Sequence, residues 1–154
     1  MLNTLHKIAA ILATASIATF WLSTIISELF LSHAAITTVK TCILYGLFIL
    51  IPSMAVAGGT GFKLAKGRRG GVLGAKAKRM PIIAANGILI LVPAAFFLAS
   101  KASGNDFDTL FYSVQGIELL AGATNLTLLA ANIRDGRRMT AGKRAKAAKN
   151  KRTK

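Results

Sequence analysis

Apolar residues in this chain neither alternate nor keep to one helical face; they continue in long runs. Four such runs stand out, roughly Ile8 to Leu31, Ala35 to Ala57, Pro81 to Ser100 and Thr109 to Ile133, with charges rare inside them. A water-soluble bundle would show a polar face every few residues instead. At 1.5 Å per residue, a hydrocarbon core of about 30 Å takes about 20 helical residues to cross, which each run supplies. The pattern predicts an all-α integral membrane protein: a four-transmembrane-helix bundle occupying residues 1–139.

Composition agrees, with 53% hydrophobic and only 16% charged residues, where soluble domains average roughly 25% charged. The net charge of +15 then becomes a topology signal. The segment 58–80 between the second and third runs holds Lys63, Lys66, Arg68, Arg69, Lys76, Lys78 and Arg79 among seven glycines. A second basic cluster follows the fourth run and includes Lys143 and Arg144. With Lys7, these account for all the Lys and Arg except Lys40 and Lys101. Basic residues favour the cytoplasmic side, so the expected orientation is N-in/C-in. The glycine-rich loop reads as flexible, with its cations against anionic lipid head groups. The tail 140–154, basic and without an acid, is expected to be disordered. Ser32-His33-Ala34 passes for a signal-peptide cleavage site, but the apolar run before it exceeds the ~7–15 residues of signal peptides, so the first span is expected to be retained.

Polar groups at membrane depth are costly and mark where function would lie. In the fourth run Gln115, Glu118, Gly122, Asn125, Leu129 and Asn132 recur at intervals of three and four, one stripe of a helix. Glu118 falls about 15 Å deep, near the midplane. Trp21 and Tyr45 reach a similar depth and are the expected hydrogen-bond partners of Glu118. Glu28 and Lys40, on neighbouring spans joined by a tight loop, are expected to form an ion pair near the outer surface. Asn86 and Asn125 are expected to bond between the third and fourth spans. Pro52 and Pro93 leave the carbonyls of Phe48 and Leu89 without helical partners, which predicts kinks. The similarity of Gly46–Pro52 to Gly87–Pro93 relates the second span to the third, which is not the arrangement of an inverted repeat.

Catalytic signatures are sparse. The sequence has no phosphate-binding glycine loop, no HExxH and no CxxC, and its single cysteine, Cys42, lies in an apolar run. The Asn125-Leu126-Thr127 sequon falls inside a span. No metal site or resident cofactor is expected. The exception tested is haem b, since His6 opens the first span with Met54 and Met80 on the same side. His33, 27 residues further on, is expected about 40 Å away at the far end of the first span, too far to share a haem with His6.

Three stretches, ATFWLST (18–24), RMPIIAANG (79–87) and ELLAGATN (118–125), resemble the small four-helix inner-membrane proteins of proteobacteria. The resemblance implies a multi-pass protein of the bacterial inner membrane and no mechanism. The leading expectation is a non-enzymatic subunit or scaffold of a membrane complex, a homo-oligomer or larger assembly, with a basic cytoplasmic face on anionic lipid. The alternatives are proton or small-solute permeation through an oligomer using Glu118, and haem-based electron transfer using His6. Nucleic acid is not the expected partner of the basic tail.

Overall fold

The structure, a computed structural model, describes residues 1–65 and 71–152, and their side chains except those of 65, 71–73, 75–77, 139, 140 and 142–152. All regular structure among the described residues is helical. The helices are α1 (Leu2–Phe30), α2 (His33–Ala65), α3 (Gly71–Asn86), α4 (Val92–Ser103) and α5 (Thr109–Arg152), with a π-type stretch over Gly87–Leu91 joining α3 to α4. Four helical spans are long and apolar enough to cross a membrane: Leu2–Phe30, His33–Leu64, Lys78–Ser103 and Thr109–Arg138.

The spans form a ring. α1 lies along α2, α2 along α4 and the end of α3, these along α5, and α5 closes against α1. The backbones of α2 and α5 do not approach each other, so these two helices face across the bundle axis. The start of α1, the end of α2 and the start of α3 lie at one end of the bundle, the terminal end. The α1–α2 and α4–α5 connections lie at the other, the turn end.

Each turn is built from local chemistry. Leu31 is extended (φ −120°, ψ 170°) and ends α1, and the Ser32 hydroxyl accepts from the Ala35 amide at the start of α2. In the α4–α5 turn Asn105 takes a positive φ of 53°, which asparagine tolerates better than most residues. Lys101 then pairs with both Asp106 and Asp108. Asp108 Oδ1 accepts from the Phe111 amide at 2.8 Å, capping α5. The Lys101 ammonium, followed by that amide, holds the Asp108 carboxyl below the usual carboxylate range.

The third span answers its proline with a change of register. Pro93 has no N–H to offer the Leu89 carbonyl, and ahead of it the Val92 amide bonds the Gly87 carbonyl five residues back. One wide turn accommodates the ring. Gly87 is buried there, facing Met54 and the Asn125 amide. Pro52 lies within α2, which remains α-helical on both sides of it.

Two expectations change. The glycine-rich segment was expected to be loop throughout 58–80, yet α2 continues to Ala65 and α3 begins at Gly71. Adding residues to an existing helix avoids the cost of nucleation, which outweighs the roughly 1 kcal/mol penalty of each glycine. The tail is also helical, to Arg152, where disorder was expected. Its Ala, Lys and Arg are strong helix formers and no proline interrupts them.

Burial is inverted relative to a soluble protein. Phe48, Leu89 and Leu120 are among the many large apolar side chains on the surface, whereas Thr24, Ser27, Lys40, Gln115, Asn125, Asn132 and Asp135 are buried. An apolar exterior with a partly polar interior suits lipid as solvent. Inside, Ile17, Ile43, Leu47, Leu50, Ile83 and Leu129 pack the middle of the bundle. Ile36, Leu98, Ala102 and Phe111 pack the turn end, where Phe107 meets Phe111 edge-on and stacks on His33 at 4.0 Å.

Candidate functional site

The most costly arrangement in the bundle lies between its core and its turn end. Lys40 projects from α2 with its side chain fully buried, and its Nζ donates to Glu118 Oε2 of α5 at 2.7 Å. The pair crosses the bundle axis, a gap that the long lysine stem can bridge. By residue count, Lys40 is about 10 Å and Glu118 about 13 Å from the turn-end starts of their helices. Gln115, one turn away on α5, donates from Nε2 to the same carboxylate oxygen at 2.9 Å.

Glu28 of α1 stands beside this pair. Lys40, Glu118 and His33 all lie near enough to act on its charge, yet its Oε1 is buried without a hydrogen-bond partner. Gln115 Oε1 is in the same condition. The fully buried Ser27 donates to the Thr24 carbonyl of its own helix. Towards the terminal end, a cleft of about 50 Å³ opens below Glu118. Its walls begin with Thr24 and Trp21 and end with Leu47, Leu50 and Leu91.

This geometry revises two expectations. The ion pair of Lys40 is with Glu118 rather than with Glu28, its neighbour across the tight loop. Tyr45 points outward, 69% exposed, and is no partner of Glu118. Trp21 also serves elsewhere: its Nε1 donates to the Leu119 carbonyl at 2.9 Å. That bond needs Gly122, since a Cβ there would lie 2.8 Å from Trp21 Cδ1.

Two further polar layers lie nearer the terminal end. Asn86 Nδ2 donates to Asn125 Oδ1 and to the Ala121 carbonyl, both at 2.8 Å, the α3–α5 link expected from sequence. Deeper still, Arg79 donates to Asp135 at 2.7 Å. The Asp135 pairing was not anticipated, although its signal is in the sequence. Asp135 continues the stripe that runs through Asn132, and it is the one acid of that helix beyond Glu118.

At the terminal end of α1, His6 Nδ1 lies 3.0 Å from the Ala57 carbonyl and 3.1 Å from the Thr60 hydroxyl. His6 and Met80 both approach Gly61, whereas Met54 packs against Gly87. The structure thus gathers the histidine with one of its two suggested methionine partners. Of the proposed head-group cations, Lys63 and Lys78 are exposed and Arg79 is half-buried in its ion pair. Lys66, Arg68 and Arg69 lie outside the described residues, as do the side chains of Lys76, Lys143 and Arg144.

The fold and this site define a helical bundle with membrane-length spans and a buried Lys–Glu contact across its axis. Comparisons with family models, curated proteins and solved structures gave no match for the chain.

Proposed function

We propose that this chain is a non-enzymatic subunit or scaffold of a membrane complex, oriented N-in/C-in in the bacterial inner membrane. The observation that carries the reading is how the interior polar groups are used. Trp21 to Leu119, Lys40 to Glu118, Asn86 to Asn125 and Arg79 to Asp135 each join two different spans. Lipid tails give little incentive for apolar helices to associate, so interhelical hydrogen bonds and close packing hold such a bundle together. A polar interior devoted to cohesion suits a rigid element on which other subunits assemble. The exposed Lys63 and Lys78 at the terminal end would meet anionic head groups.

Permeation centred on Glu118 is supported less well. Beyond the carboxylate the cleft turns apolar, and about 10 Å of helix separates Glu118 from the next polar layer at Asn125.

Two measurements test the proposal together. Reporters fused after Lys154 and at Gly104 should report cytoplasm and the opposite side, respectively. Cross-linking in native membranes followed by mild extraction should recover the chain in one discrete assembly larger than a monomer. A cytoplasmic signal at Gly104 removes the orientation, and a strictly monomeric particle in both membranes and nanodiscs removes the subunit reading.

A further inference from the structure

The Glu28–Lys40–Glu118 cluster contains one more negative than positive charge. Every element packed around Glu28 contributes to this balance. α1 supplies Glu28 itself, α2 supplies His33 and Lys40, and α5 supplies Glu118 and the amide of Gln115. The lysine of α4, Lys101, is engaged by Asp106 and Asp108 in the adjacent turn. With histidine counted as neutral, as in the formal net charge, two carboxylates and one ammonium sum to −1 in a setting where a surplus charge is expensive.

Hydrogen bonding leaves a matching deficit. Glu28 Oε1 and Gln115 Oε1 are both acceptors, both buried, and both without a donor. Gln115 as a whole is 4% exposed. Turning its amide over would not relieve it, because Oε1 would then face the Glu118 carboxylate that Nε2 now serves. The cluster lacks one positive charge and at least one donor, and a single proton provides both.

We propose that Glu28, Lys40, Glu118 and Gln115 form a proton-binding site, independent of whether the chain is a scaffold. One proton from water adds to a Glu28 carboxylate oxygen, giving a neutral carboxyl with an O–H donor; no other bond forms or breaks. Without the proton, the Lys40 ammonium answers two carboxylates. With it, Lys40 is committed to Glu118 and the surplus charge is gone. Exchange occurs from the turn end, since Glu28 is two residues from the end of α1 and only half-buried. In the other direction the cleft below Glu118 is lined mainly by apolar side chains.

Infrared difference spectra of the full-length protein in nanodiscs, recorded between alkaline and acidic buffer, test this directly. Acidification should produce a protonated-carboxyl band in the wild type. Because Glu28 and Glu118 are the chain's only glutamates, uniform labelling of glutamate with carbon-13 should shift that band without any mutation. Glu28→Gln should abolish it, and Asp108→Asn should leave it in place. Replacing sodium with choline at constant ionic strength should not move the titration. A band unshifted by glutamate labelling, or one that survives in folded Glu28→Gln, overturns the proposal. A titration displaced by sodium overturns it too, because the site would then take a metal cation in place of the proton.

Discussion

Glu118→Gln preserves the shape of the side chain and removes its charge, leaving the Lys40 ammonium in a bundle interior where its side chain has no contact with solvent. Removing one partner of a buried ion pair costs about 3–5 kcal/mol, because the remaining charge is uncompensated. Glu28 decides where each variant falls in that range. In Glu118→Gln, Lys40 can turn to the second carboxylate, so the cost should sit near the lower end, about 3 kcal/mol. In Lys40→Met two carboxylates remain with no cation between them, and the cost should approach the upper end, about 5 kcal/mol. For a protein of this length 1 kcal/mol is worth about 2–4 °C in Tm, which predicts losses of about 6–12 °C and 10–20 °C. The double variant Lys40→Met/Glu118→Leu removes both charges and should recover to within about 2 kcal/mol of wild type, the remainder reflecting Glu28. Thermal unfolding in one detergent at one pH measures all four proteins. Trp21 is the only tryptophan and bonds α5 directly, so its fluorescence follows loss of the α1–α5 contact. Single variants within 1 kcal/mol of wild type, with an additive double, would refute a structural role for the ion pair. Reversal of the order of the two single variants would refute Glu28 as the alternative acceptor.

Gly122→Ala should displace the indole of Trp21 and break its bond to the Leu119 carbonyl, costing about 1–3 kcal/mol as an overpacked contact; an unchanged emission spectrum would contradict this. Asn86→Leu removes both α3–α5 bonds and should lower stability by about 0.6–1.7 kcal/mol per bond, read from the same unfolding curves. The lowered Asp108 carboxyl stabilises the fold at pH values above its ordinary value of 3.8, and that contribution disappears as pH falls through the lowered folded value. The Tm difference between wild type and Asp108→Asn should therefore be present at neutral pH and vanish in strong acid; a difference that persists in acid would assign it to something other than the charge.

The spans were legible because length and hydropathy determine them, and the structure moves their cores by little. Their ends were less so. Gly58, Gly59 and Gly61 read as loop residues, but here they extend an existing helix, where propagation matters more than propensity. Within the site, the stripe from Gln115 to Asn132 was visible as spacing, and the Asn86–Asn125 bond followed from it. The partner of Lys40 was not visible, because closeness in sequence favoured Glu28. What decided the pairing was the closed ring of spans, which sets α2 opposite α5 with their ionised residues at similar depth. No local pattern encodes which helices are diagonal. Tyr45 failed for a related reason: a residue's position along a helix does not determine which way its side chain faces.

α5 emerges as the element that sets the register of the whole bundle. Along one face, over about 25 Å from Glu118 to Asp135, it receives polar bonds from α1, α2 and α3. Lys40 reaches it from α2, Trp21 from α1, and Asn86 and Arg79 from α3. Apolar faces in lipid distinguish poorly between one register and the next, since a slide by one turn exchanges Leu for Ile at little cost. The polar stripe removes that degeneracy: the same slide would break all four bonds together and take Lys40 and Arg79 away from their carboxylates. Three of these bonds use a side chain on α5, but the Trp21 bond goes to a backbone carbonyl, which any residue at position 119 would provide. Specificity at that level therefore comes from Gly122, whose missing Cβ is the one place on the stripe where the indole fits. Register in this bundle is set by charge at both ends of this stripe, by amides near its middle, and by shape in between.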